Sequence, residues 1–214
     1  MVTVAALRGK VRDSLRTRDY EAVLGLAGSE RNLARAVTSL LYEREELIRW
    51  RAVTMVGKLA EAEPEMARPL IGRFIWWMND ESGGIGWSSA PALAEIGRTA
   101  PSMIRENVRV VIHYRAERIL FPGVLWAIGR LTGTYRRETE EAIPDLLGFL
   151  ADDDGALRGL AAWALGEIGN PRAIDGLKGL LQDGHPVSIY QGESLAAKEA
   201  GAVAAEAIEK MTAR

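Results

Sequence analysis

From about residue 45 onward, apolar side chains recur at three- and four-residue spacing, the stripe of an amphipathic helix packed on one face. Leu146, Leu147, Phe149 and Leu150 form one such face, and Leu177, Leu180 and Leu181 another. Alternation of the strand kind is scarce. Val108-Arg109-Val110-Val111-Ile112 is the one candidate, and it lies inside a window, 101–116, that also reads as helix. The punctuation is that of helix–turn–helix units. Pro64, Pro101 and Pro171 stand where a first-turn proline belongs, because a helix leaves its first N–H groups unpaired in any case. Gly169-Asn170-Pro171 predicts the end of one helix and the start of the next. Asp152-Asp153-Asp154-Gly155 predicts a turn that supplies an Asp cap.

These units repeat. Trp50-Arg51-Ala52-Val53-Thr54-Met55-Val56-Gly57 aligns with Trp87-Ser88-Ser89-Ala90-Pro91-Ala92-Leu93-Ala94 at a spacing of 37, which also sets Pro64 on Pro101. Trp126-Ala127-Ile128-Gly129 aligns with Trp163-Ala164-Leu165-Gly166 at the same spacing, and Ala204-Ala205-Glu206-Ala207 is a worn further copy. The partner helix repeats as well: residues 143–152 fall on residues 174–183 at a spacing of 31. A small residue at Gly57, Ala94, Gly129, Gly166 and Ala205, one turn from a bulky one, predicts close approach of neighbouring helices. One hairpin cannot bury its own face, so several must stack.

Residues 154–174, Asp-Gly-Ala-Leu-Arg-Gly-Leu-Ala-Ala-Trp-Ala-Leu-Gly-Glu-Ile-Gly-Asn-Pro-Arg-Ala-Ile, resemble the HEAT-like repeats first described in phycobilisome lyases. The resemblance covers 45–212 and is strongest from 138 to 183. It implies an all-α, right-handed α–α superhelix of about four helical hairpins, preceded by a less regular helical cap at 1–44, the whole of 1–214 forming a single repeat domain. Fold alone does not assign function.

Composition narrows the classes. Hydrophobic residues make up 48% and charged residues 26%, which is ordinary for a globular chain. Net charge is −2, which leaves little surplus positive charge for neutralising phosphates and argues against nucleic acid as partner. Residues 1–120 carry 18 Lys/Arg against 15 Asp/Glu, whereas 121–214 carry 9 against 14; the polarity slightly favours an acidic partner for the first part. With no cysteine, disulfides, thiolate catalysis and Cys-ligated metal are excluded. The N-terminal stretch lacks the pattern of a signal peptide, and no stretch approaches the ~20 apolar residues of a membrane span, so a cytoplasmic location is expected.

The residues also argue against catalysis. There is no Gly-x-Ser-x-Gly elbow, and His113 and His185 have no His- or Glu-containing motif beside them. The paired His-Glu signatures by which the HEAT-like deoxyhypusine hydroxylases hold iron are missing. No metal and no cofactor is expected. The candidate site is a partner-binding face built from Trp50, Arg51, Glu81, Gly83, Gly84, Gly86 and Trp87. Trp50 and Trp87 open the second helices of two repeats, where they form either an exposed aromatic ledge or part of the packing, and tryptophan beside arginine is favoured at binding hot spots. The stretch Asn79–Trp87, rich in glycine, is either a wide turn or a contact site whose N–H groups receive an anion or a partner. Trp126 and Trp163 are expected in the core. Arg105, Arg109, Arg115 and Arg118 read as a solvated helix face with an acidic or phosphate partner as the alternative. The expected function is therefore a non-catalytic protein–protein interaction or scaffold module that binds another protein on its concave face. Two other readings stand: an accessory protein or lyase handling a tetrapyrrole, as the phycobilisome resemblance implies, and a nucleic-acid binder similar to the HEAT-like alkylpurine DNA glycosylases.

Overall fold

A computed structural model describes residues 3–79 and 86–213. The chain falls into two compact units, Met1–Glu106 and Asn107–Arg214, each built of packed helical hairpins.

In the first unit, α1 (Val4–Thr17) starts where the Thr3 hydroxyl accepts the Ala6 N–H at 3.2 Å. It buries Leu7, Val11 and Leu15, a row at four-residue spacing, and stops at Arg18, whose φ of 62° is left-handed. Asp19 caps the short α2 (Tyr20–Leu24) through Ala22 N–H, and α3 (Leu33–Ser39) runs into a 3-10 turn at Leu40–Tyr42. The long α4 (Glu46–Ala62) and α5 (Pro64–Met78) form a hairpin, with Pro64 at the first turn as its spacing predicts. Next comes α6 (Ser89–Thr99), lying along α4. Gly57 makes that approach possible. A Cβ there would stand 2.9 Å from Glu95 Cβ and 3.0 Å from Glu95 O, and Thr99 Oγ1 donates to Gly57 O at 2.7 Å. Backbone meets backbone at this seam.

The second unit contains α7 (Val108–Ile112), α8 (Phe121–Leu131), α9 (Arg136–Glu141), α10 (Ile143–Phe149), α11 (Gly155–Ile168), α12 (Ile174–Lys178) and α13 (Ala200–Thr212). The Val108–Ile112 segment is helical. The Asp154 carboxylate accepts the Ala156 N–H at 2.9 Å, and Gly169 closes α11 at a φ of 67° before Asn170 and Pro171 start a new turn. Helix α11 lies between α8 and α13, the second helices of the neighbouring hairpins. A Cβ on Gly129 would lie 2.5 Å from the Trp163 ring, and one on Gly166 would lie 2.8 Å from Ala207 Cβ. The small partner on α13 is therefore Ala207, two residues beyond the half-exposed Ala205 that the repeat spacing selects.

Two features depart from the sequence reading. The window 101–116 is not one helix: a 3-10 turn at Pro101–Met103 and further turns precede α7, so Arg105 and Arg109 do not share a helix face. The last repeat also contains a β-hairpin. Strand β1 (Pro186–Gln191) pairs antiparallel with β2 (Ser194–Glu199), from Pro186 opposite Glu199 to Gln191 opposite Ser194. The two-residue turn, Gly192 and Glu193, has φ of 55° and 67°, the left-handed pair that matches strand twist. Val187 and Ile189 are buried while Ser188 is exposed. Gly159 on α11 admits the strand: a Cβ there would be 2.8 Å from Val187. The Trp126 indole N–H donates to Tyr190 O at 2.9 Å and ties β1 to α8.

Candidate partner-binding clefts

The described residues among those proposed from sequence differ in burial and in partners. Trp87 precedes α6 and is 52% exposed. Its position is set by buried Ser88, whose hydroxyl donates to Leu41 O at 3.2 Å, and by Gly86, whose carbonyl accepts the Ser89 N–H at 2.9 Å. Trp50 stands half-buried within α4. Arg51 does something other than face a partner. Only 8% exposed, it donates through Nη1 to Leu15 O at 3.0 Å and Arg16 O at 2.8 Å, satisfying carbonyls at the C-terminal end of α1. Glu81, Gly83 and Gly84 lie outside the described residues.

Around Trp87 is a cleft of about 370 Å³, lined also by Leu41, Tyr42, Glu43, Arg44 and Arg49. Tyr42 is 44% exposed and meets the half-buried Trp77 edge-on at 5.9 Å between ring centroids. The Arg73 guanidinium lies 5.8 Å from the Trp77 centroid, and Trp76 is exposed on the same helix. Loss of solvent pushes the Tyr42 phenol up to about 12 against the opposing pull of Arg73, so at neutral pH it keeps its proton as a hydrogen-bond donor. Glu43 is arranged in the opposite sense. Burial alone would raise it, but the Arg44 N–H at 3.0 Å and the guanidinia of Arg12 at 3.3 Å and Arg8 at 2.7 Å outweigh burial and hold the carboxyl below its ordinary range. Arg49 donates to Glu43 O at 3.1 Å. The cleft thus joins two exposed aromatic rings to two guanidinia, with its one carboxylate already engaged by arginines.

In the second unit the tryptophans sit inside, as expected. Trp126 and Trp163 are buried and stacked at 6.3 Å between centroids, and Trp126 also meets Tyr190 of the hairpin. Three of the four arginines read as a solvated face have acidic partners, and these belong to the chain itself. Arg109 Nη2 reaches Glu141 at 2.7 Å, Arg115 pairs with Asp145, and Arg118 Nη1 reaches Asp152 at 2.9 Å. Farther along, Arg158 Nε meets Asp183 Oδ2 at 2.6 Å. Each pair joins one repeat to the next. The hydrogen bond from Arg158 holds the Asp183 carboxyl well below the usual carboxylate range despite partial burial, with His185 N–H and its ring assisting. His185 Nδ1 lies 3.0 Å from Asp183 and 2.9 Å from Arg158 Nη2, so the residue left over by sequence reading belongs to this network. Among the described residues no group of three or more His, Asp or Glu could hold a metal ion, and no helix is long and apolar enough to cross a membrane.

A second cleft, of about 500 Å³, opens beside this hairpin. Its walls are Gly129, Arg130, Thr132, Gly133 and Arg136 from the end of α8 to the start of α9, Trp163 and Glu167 from α11, and Gln191 and Gly192 at the hairpin tip. The sequence reading did not select it, because it needs a hairpin that the repeat spacing does not contain.

Comparison with known proteins supports the fold. Residues 121–197 match the family of HEAT repeats. Over 65 residues the chain is 35% identical to an uncharacterized protein of Archaeoglobus fulgidus, a match that covers 30% of this chain and only 34% of that protein. An engineered protein of known crystal structure is similar across 99% of this chain and 92% of its own, with a TM-score of 0.55 at 13% identity, a likeness of fold alone. The fold is that of HEAT-like helical repeats.

Proposed function

We propose that this HEAT-like repeat protein is a non-catalytic interaction module, and that the cleft of Tyr42, Arg44, Arg49 and Trp87 holds a segment of a protein partner. Stacked helical repeats provide side-chain surfaces for recognition, and HEAT-like units use them for protein partners. The observation that carries the reading is the 52% exposure of Trp87 beside an exposed Tyr42 and two arginines, the residue types that dominate interface hot spots. A partner segment that suits this lining puts an apolar or aromatic side chain between the rings and a carboxylate toward the guanidinia.

The test is site-specific photo-crosslinking in cells that express the chain, with a photoreactive residue at position 87 and a control at exposed position 105. A defined protein adduct at 87 that disappears with Arg44→Glu is expected. Adducts identical at 87 and 105, or insensitive to Arg44→Glu, would remove this cleft from the interface. In binding to the captured partner, Trp87→Ala should cost about 2 kcal/mol or more while the helical circular dichroism stays unchanged. A chromophore absorbing in the visible that copurifies with the chain would instead favour the tetrapyrrole reading, and a salt-sensitive gel shift would favour nucleic acid.

A further inference from the structure

We infer that the segment held in the cleft of Tyr42, Arg44, Arg49 and Trp87 is proline-rich and docks as a polyproline II helix, which rests on the reading that this cleft receives a protein partner. Hydrogen-bonding capacity, rather than net charge, selects this occupant. Two donors are open. The exposed Trp87 indole N–H makes no hydrogen bond among the described residues, and the exposed Arg44 guanidinium has no ion pair or hydrogen bond among them. Arg49 is committed, donating to Glu43 O at 3.1 Å. The acceptors are already engaged. The one carboxylate of the lining, Glu43, takes the Arg44 backbone N–H at 3.0 Å and the guanidinia of Arg8 and Arg12 at 2.7 and 3.3 Å. Of the lining carbonyls, Glu43 O takes Arg49 and Leu41 O takes the Ser88 hydroxyl at 3.2 Å. A ligand suited to this lining brings acceptors and few donors.

Backbone chemistry then separates the possible occupants. An α-helix bonds its carbonyls internally, so its main chain offers nothing to the two donors. An ordinary extended strand offers carbonyls but brings an N–H at every residue, and each N–H that loses water on docking needs an acceptor. Proline has a carbonyl and no N–H. Its polyproline II helix makes no internal hydrogen bonds, so the carbonyls point outward for the indole and the guanidinium. The rings suit the same ligand. Trp87 and Tyr42 are both exposed and give pyrrolidine rings two flat surfaces beside the apolar Leu41. Tyr42 meets Trp77 edge-on at 5.9 Å, and Trp77 is itself held by Phe74 at 5.7 Å between centroids and by the Arg73 guanidinium, so the Tyr42 ring is set before a ligand arrives. A segment already stiff in polyproline II loses little freedom on docking against such rings. The prolines supply the apolar groups, and the carboxylate follows on a flanking residue.

The experiment titrates the full chain into decaproline, amidated at its C-terminus and carrying an uncharged fluorophore, read by anisotropy, with a Gly-Ser decapeptide labelled in the same way as control. Saturable binding of decaproline and none of the Gly-Ser peptide is expected, with the Trp87 indole N–H resonance, assigned through Trp87→Phe, shifting in step. Trp87→Ala should lower the affinity about tenfold or more, with circular dichroism unchanged. Two changes at Arg44 test its role as donor. Arg44→Gln keeps an N–H donor and should hold affinity within about threefold, whereas Arg44→Glu presents only acceptors to a ligand without N–H groups and should lose about tenfold. No binding of decaproline at about 1 mM chain, equal binding of the two peptides, full affinity in Trp87→Ala, or equal affinity of the two Arg44 variants would overturn the proposal. If decaproline fails while the crosslink from position 87 persists and still depends on Arg44, the cleft holds a partner of another kind and only the proline assignment falls. If that crosslink is missing as well, the reading of the cleft falls with it.

Discussion

The two units use the same residue types for different work. In the first, Arg51 is drawn inside to satisfy the end of α1, and Arg49 also donates to a carbonyl, while Trp87 stands in solvent. In the second, arginines bridge from one repeat to carboxylates on the next, while both tryptophans are buried and one is bonded to the hairpin. The tryptophans stand at two different repeat positions: Trp87, like Trp50, lies seven residues before the packing position, whereas Trp126 and Trp163 lie three before it. Burial follows the place of each side chain in its helix and what packs against it there. Trp87 lies two residues ahead of α6 and escapes; Trp126 and Trp163 lie well inside α8 and α11 and do not.

The seams between second helices are what the units share, and they are where the comparison breaks most easily. Gly166→Leu forces a branched side chain into a site where even a Cβ would be 2.8 Å from Ala207 Cβ and 3.0 Å from its Cα. Overpacking against another helix should cost about 3 kcal/mol or more, read as a loss of denaturation midpoint in urea. Gly57→Leu should be similarly severe in the first unit, since its neighbours are the Cβ and carbonyl of Glu95. A mild effect at one seam and not the other would show that only one unit depends on close helix approach.

Arg51→Met comes next in size. It keeps much of the aliphatic stem but removes both hydrogen bonds to the end of α1, and should cost about 2–3 kcal/mol. Hydrogen exchange should quicken in α1 and α4 and remain unchanged in α11. Protection that is lost equally in α11 would contradict the division into separately packed units.

Much of this arrangement was legible in the sequence, because the signals for it are local. Pro64 begins α5, Asp154 caps α11 and Gly169 ends it, since capping and left-handed closure involve residues within one turn of each other. The small-against-large repeat located the seams to within a turn. The hairpin escaped for a physical reason. Its second strand, Ser-Leu-Ala-Ala-Lys-Glu, is composed of helix formers, and it becomes a strand because β1 is held against α11 and α8 and offers it a pairing edge. Alternation of Val187 and Ile189 with exposed Ser188 was the available signal, and it was short. Arg51 was misplaced because nothing next to it in the chain announces an α1 end that lies 35 residues away.

The acid response should sharpen the contrast between buried and exposed pairs. Asp183 is largely buried and its carboxyl is depressed, first by the hydrogen bond from Arg158. A depressed carboxylate contributes stability that is fully present above its unfolded-state value, about pH 4, and is lost as the pH falls through the folded-state value. Asp183→Asn should therefore cost about 1–2 kcal/mol at neutral pH. The difference from wild type should narrow progressively below about pH 4, read from denaturation midpoints across that range. A gap that stays constant down to acid would mean that the carboxylate's charge is not what holds α11 to the segment before the hairpin.

Exposed pairs of the same ladder should behave differently although their geometry looks as good. Arg109 and Glu141 meet at 2.7 Å, yet the arginine side chain is 58% exposed, so water already solvates both groups and ordering two long side chains offsets most of the attraction. Arg109→Gln should change stability by no more than about 0.5 kcal/mol, and less in about 0.5 M salt. The set of arginines along this edge would then serve mainly to fix register between successive hairpins: a wrong register would set unpaired carboxylates and guanidinia side by side. A combined neutralisation of Arg109, Arg115 and Arg118 tests that point. A loss of stability much larger than three times the single effect, with broadened unfolding transitions, would show the ladder acting as a unit.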